Sequence, residues 1–381
     1  MRAALTAMVW VVVFAGLTAT AAERLTSIAL GRVQARADNE LRPITRDGGF
    51  SVQFSSQPPR SLWLFGDTSQ KNGPPFIAGT TAAIGTIVAG KAPTDLVEVP
   101  TPPGKASSPL LSPQAFFPSP AGLLAPVAAP GATQPCGAAG SGSLYPAAWP
   151  AGGARIPDST KVLLVYFQVC VTTRGFPIGR LTLTSYDPQR NQFTDSWTPF
   201  IARPLSAQLP RREALQSPIF GSDGYLYLFS FERRSVYVAR VRADPKQWGK
   251  ASNYAWWSEP AGSDGHWTGD ETAATSLVSG VPVLGISVGD FAGTTLHKLV
   301  LLIQTGFRTA DFALFDAPAP TGPWEAGPTG RVPGACDVGI FGCYSLVGHP
   351  ELSTHEQLVY SWYSPGEAEG QGRVNIGTLR W

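Results

Sequence analysis

Arg46-Asp47-Gly48-Gly49-Phe50-Ser51-Val52 and Ser61-Leu62-Trp63-Leu64-Phe65-Gly66-Asp67-Thr68 read as two strands joined by a turn that contains Pro58 and Pro59. An antiparallel hairpin lays the start of one strand beside the end of its partner, so Asp47 and Asp67 are expected at one edge of the sheet. Two carboxylates at one sheet edge are the raw material of glycoside cleavage, although a pair of turn-bound aspartates reads the same way.

The second of these strands has counterparts along the chain. Val162-Leu163-Leu164-Val165-Tyr166-Phe167, Tyr225-Leu226-Tyr227-Leu228-Phe229, Leu299-Val300-Leu301-Leu302-Ile303 and Leu358-Val359-Tyr360-Ser361-Trp362-Tyr363 each follow a shorter strand and a turn. The turns carry breakers such as Pro157-Asp158-Ser159 and Gly221-Ser222-Asp223-Gly224. Five such units, on average roughly seventy residues apart, fit a radial β-repeat. The expected fold is therefore all-β, a five-bladed β-propeller. An irregular β-sandwich with an added domain is the other arrangement considered. No long segment has helical periodicity, and no domain boundary is visible.

Composition agrees. Charged residues are only 15% of the 381-residue chain and hydrophobic ones 43%, which supplies a core and argues against disorder. The 41 Gly and 35 Pro favour short strands and tight turns. A net charge of +2 gives no electrostatic case for nucleic acid or an anionic membrane.

Residues 1–21 have the layout of a secretory signal: Arg2, an apolar core from Ala7 to Leu17, then Ala19-Thr20-Ala21. A secreted or periplasmic protein follows, with residues 22–381 as one propeller and no membrane insertion after cleavage. The span from about 89 to 142 is dense in Pro, Ala and Gly and reads either as outer strands of the first blade plus a long surface loop or as a flexible insertion without function. Four cysteines suit an exported protein. Cys336 and Cys343 bracket a short loop that a bridge would close, leaving Cys136 with Cys170, although three connectivities stay open.

Asp47-Gly48-Gly49, Leu62-Trp63-Leu64-Phe65-Gly66-Asp67-Thr68, Asn253-Tyr254-Ala255-Trp256-Trp257, Gly322-Pro323-Trp324 and Gly348-His349-Pro350-Glu351-Leu352 occur in this order. Together they resemble the secreted propeller proteins grouped as domain of unknown function 4185. That family is similar in layout to the furanosidases of glycoside hydrolase families 43, 62 and 32, and some members cleave mycobacterial D-arabinan. The resemblance spans about residues 40 to 381 and implies a polysaccharide or oligosaccharide partner. It implies that Asp47 is a catalytic carboxylate, that Asp67 ends the family's strand motif, and that His349 and Glu351 open the last blade. The chain lacks a Glu-Gly-Pro-like motif in the third blade, where family 43 enzymes carry their general acid; it has Gln216-Ser217-Pro218.

Cleavage needs a proton donor and a carboxylate. Asp47 is the candidate base or nucleophile, and Asp67 is the general acid or a charge that tunes Asp47. Glu351 is the third candidate acid, and His349 would bind sugar hydroxyls or orient an acid. Trp149 is the candidate stacking platform; Trp256, Trp257 and Trp267 are more readily read as packing. No cofactor is expected, a calcium or sodium ion in the channel being the only addition considered, and the protein is expected to be a monomer. The competing reading is a silent propeller that binds glycan or protein at the channel mouth.

Overall fold

A computed structural model describes residues 27–72, 76–104, 110, 112–117, 136, 143–202, 208–259, 264–291, 298–306, 311–334, 336, 342–365 and 372–380. The expected signal segment and most of the 89–142 stretch beyond Phe117 lie outside the described residues. No α-helix occurs among the described residues, only single turns of 3-10 helix.

Five antiparallel sheets carry the chain, each built outward in sequence order. The first blade runs Ile44–Ser56, Pro59–Gln70, Thr81–Thr86, Val97–Glu98, and the second Ser143–Arg155, Val162–Thr172, Ile178–Asp187, Gln192–Ile201. The third blade begins with Gln216–Phe220 and Tyr225–Glu232, and the fourth with Gly285–Asp290 and Leu299–Gln304. The fifth contains Tyr344–Gly348, Gln357–Ser364 and Arg373–Arg380, and Ser27–Arg32 from the other end of the chain completes it. The ring is thus fastened by pairing its first strand with its last.

All five apolar runs seen in the sequence are the second strands of their blades. They are apolar without alternation because each is covered on both faces. Leu62 and Leu64 pack towards the second blade with Leu164 and Tyr166, whereas Trp63 and Phe65 pack towards the fifth with Val359 and Val374. The five apolar clusters of the molecule correspond to the five junctions between neighbouring blades. Burying each such Leu or Phe contributes about 1.5–3 kcal/mol. Part of the 89–142 stretch does structural work here: Val97–Glu98 edges the first blade, and Phe116 and Phe117 fill the junction with the second. Both disulfides pair as the spacing suggested, Cys136 with Cys170 and Cys336 with Cys343.

Candidate active site

Both aspartates lie inside the hairpin strands rather than at their ends. Arg46 pairs with Thr68 and Gly48 with Phe65, so Asp47 alone opposes Gly66 and Asp67. This is a β-bulge, which re-aims a side chain out of the regular pleat. Gly48 and Gly49 make the bulge with φ of 82° and 102°, a region that L side chains rarely adopt. A Cβ on Gly66 would lie 2.1 Å from Asp47 Oδ1, so the missing side chain is the space the carboxylate occupies.

The Asp47 carboxylate accepts, at 2.7 Å on Oδ2, the Tyr344 hydroxyl from the fifth blade. Asp67 is held by the second blade. Tyr145 donates to its Oδ2 at 2.6 Å and Trp149 Nε1–H to its Oδ1 at 3.2 Å, while the Gly79 N–H reaches Oδ1 at 2.8 Å. Burial, and then the charge of Asp67, push Asp47 up to about 7. Asp67 is also raised by burial, but its three donors oppose the rise. Burial and the neighbouring carboxylates raise Tyr145 and Tyr344, so both phenols stay protonated donors.

The pair opens on a cavity of about 570 Å³ at the centre of the ring. Its lining includes Asp47, Asp67, Tyr145, Trp149 and Tyr344, with Arg211 and Gln216 from the third blade. Much of the remaining wall is apolar, with Phe50, Phe167, Phe231, Ile286 and Val347 contributed by successive blades. Among the described residues no cluster of three metal-ligating groups occurs.

His349 and Glu351 sit elsewhere. The sequence suggests that they face the channel at the start of a strand. Instead, Pro350–Leu352 is a single 3-10 turn with His349 at its head, and neither His349 nor Glu351 is among the cavity-lining residues. His349 is fully buried against the Trp63 ring, centroids 4.8 Å apart, and burial lowers it to about 3, which keeps it neutral. Ser51 donates to Glu351 and sits 2.6 Å from His349 Nδ1; His349 Nε2 lies 2.8 Å from Ser361 Oγ. Ser361 Oγ in turn approaches the Gly49 carbonyl at 3.3 Å, so this buried network touches the back of the Asp47 bulge.

Trp149 lines the cavity and touches Asp67, whereas Trp256 is buried in the junction between the second and third blades. Gln216 occupies the cavity wall in the third blade, where a general acid was missed in the sequence. Glu213, raised to about 7 by partial burial and then by Glu271, precedes that strand but is not among the lining residues. The sequence reading missed Tyr145 and Tyr344. Tyr145 precedes Trp149 by four residues on one inner strand and so shares its face, a signal that was available. Nothing local to Tyr344 marks it.

No protein-family model and no curated protein matches the chain. The likeness to the domain of unknown function 4185 proteins therefore stands on the motifs alone. Solved structures do match. A Bacteroides ovatus protein carrying a provisional hydrolase name aligns over 92% of this chain and 86% of its own, with a TM-score of 0.58 at 14% identity. An α-L-arabinofuranosidase from Podospora anserina, solved with cellotriose, aligns over 94% and 98%, with a TM-score of 0.47 at 10% identity. A family 43 enzyme from Xanthomonas citri aligns over 92% and 90%, with a TM-score of 0.43 at 12% identity. At these identities the likeness concerns the fold. The chain is a five-bladed β-propeller.

Proposed function

We propose that this protein is an exported glycoside hydrolase acting on a furanose-containing polysaccharide, with D-arabinan as the leading substrate. The observation that carries the reading is the coupled Asp47–Asp67 pair facing a central cavity, each carboxylate held by a tyrosine from another blade. Paired carboxylates whose environments differ are what acid–base cleavage of a glycosidic bond needs. Asp47, raised to about 7, is protonated in mildly acidic solution and donates to the leaving oxygen as the C–O bond breaks. Asp67, with three donors favouring its charge, is the carboxylate that attacks the anomeric carbon or activates water. These roles differ from the sequence reading, in which Asp47 is the base or nucleophile and Asp67 the general acid or a charge that tunes it. Two disulfides agree with an oxidising compartment.

The test is incubation of the purified protein with mycobacterial arabinogalactan, followed by detection of released oligosaccharides. Release that disappears in Asp47→Asn and Asp67→Asn, with the fold intact, is the expected result. Equal release by either variant overturns the assignment, and binding without release returns the protein to the silent, glycan-binding class.

A further inference from the structure

Among the described residues only six large hydrophobic side chains are exposed; Phe176 at 40% and Leu284 at 39% are at the cavity, and Phe76 at 52% packs against the cavity-lining Tyr145. Phe176 and Leu284 line it directly. Phe76 stands edge-on to Tyr145, centroids 5.3 Å apart at 75°, and Phe176 edge-on to Trp149, 5.0 Å apart at 61°. Tyr145 and Trp149 are the two side chains that hydrogen-bond Asp67. The result is a row of rings, Phe76, Tyr145, Trp149 and Phe176, with Asp67 held between the inner two.

The row is longer than the site of chemistry. Tyr145 and Trp149 are four residues apart on one strand, about 13 Å along it, and an exposed phenylalanine adjoins each. Phe176 is held in place by its turn. Thr172 N–H donates to the Gly175 carbonyl at 3.0 Å and its hydroxyl to the same carbonyl at 2.9 Å. The Cys170 N–H bonds the Pro177 carbonyl at 3.1 Å, and Cys170 is itself tied to Cys136. A folded protein gains nothing by leaving large rings in water beside a cavity, and apolar surface there marks a ligand groove.

We propose that Phe76 and Phe176 are sugar-stacking platforms beyond the reaction centre, forming with Tyr145 and Trp149 a groove across the first two blades that takes an internal segment of a polysaccharide chain. This rests on the glycoside hydrolase reading and adds the side chains that grip the polymer on either side of the acid pair. The apolar faces of successive sugar rings lie on the phenyl rings, while their hydroxyls stay exposed to water. A protein partner covering the same rings is the alternative that the test separates.

The test uses the full chain carrying Asp47→Asn, so that binding is read without turnover. Arabinogalactan, xylan, a β-1,3-galactan and cellulose serve as probes in affinity electrophoresis. Phe76→Ala and Phe176→Ala are each expected to weaken binding of the preferred polymer about tenfold. Phe176→Trp should retain it. In the active background, each alanine variant should raise KM on polymer more than it lowers kcat. Unchanged polymer binding in both alanine variants overturns the platform proposal and leaves the Asp47–Asp67 reading standing. Ring-dependent binding to a polymer other than arabinogalactan supports the platforms and removes D-arabinan as substrate. Binding to none of the four overturns both.

Discussion

Asp47 stands alone against Gly66 and Asp67 across a β-bulge, so the strand that carries one acid also faces the other. Either carboxylate therefore senses any change in the other's charge, as coupled acids do.

Replacing either acid should be severe for activity and mild for structure. Asp47→Asn and Asp67→Asn should each lower kcat by roughly 10²–10⁴-fold, the usual contribution of a positioned acid or base. Circular dichroism should show an unchanged β-sheet spectrum. A variant retaining a tenth of the wild-type rate would remove its residue from the chemistry.

Asp47 also makes stability fall with rising pH. Its folded value of about 7 lies above the unfolded 3.8, so the native state binds the proton more tightly in that window. Stability is lost as pH rises from about 4 through 7, because ionisation must then occur in a buried place. His349 slopes the other way: its folded value of about 3 lies below 6.5, so stability is lost as pH falls through that range. The melting-temperature difference between Asp47→Asn and wild type should therefore grow in the variant's favour from pH 4 to pH 8. A constant difference would contradict the buried-acid assignment.

Tyr344 tunes the proton donor. Its hydrogen bond to Asp47 favours the charged form, so Tyr344→Phe should raise the Asp47 value further. The alkaline limb of kcat/KM, expected near pH 7, should move up by about one unit. A downward shift would show that the limb belongs to another group.

Two glycines of the hairpin should separate activity from stability. Gly66→Ala drives a Cβ into Asp47 Oδ1, a movable atom, so it should cost more in activity than in stability. Gly49→Ala meets Val374 Cγ1 at 2.6 Å with φ at 102°, inside the junction of the first and fifth blades. It should cost roughly 2–5 kcal/mol in denaturant unfolding. Equal stability losses for the two would refute the distinction.

The Cys336–Cys343 bridge ends one residue before Tyr344, and Gln304 donates to the Cys343 carbonyl at 2.8 Å. Closing so small a loop contributes about 2.5 kcal/mol in the chain-entropy picture. The Cys336→Ser/Cys343→Ser double variant should lose stability on that scale and lose activity beyond it, measured well below its melting temperature. Full activity there would free Tyr344 from dependence on the bridge.

The sequence by itself determined the all-β class, the five-fold repeat and the meeting of Asp47 with Asp67. Those features are written in short-range patterns: strands covered on both faces, turns of Gly and Pro, and a hairpin only two residues from strand to strand. Only the tertiary structure decided what surrounds the pair. Tyr145 is 78 residues from Asp67 and Tyr344 is 297 from Asp47. Tyr145 arrives because the second blade packs against the first; Tyr344 arrives through closure of the ring, which pairs Ser27–Arg32 with Arg373–Arg380 and brings the fifth blade beside the first. The same closure turned Glu351 and His349 into the junction, because one 3-10 turn at Pro350–Leu352 rotates them away from the cavity. Such a rotation leaves no period in the sequence, whereas a strand's alternation does.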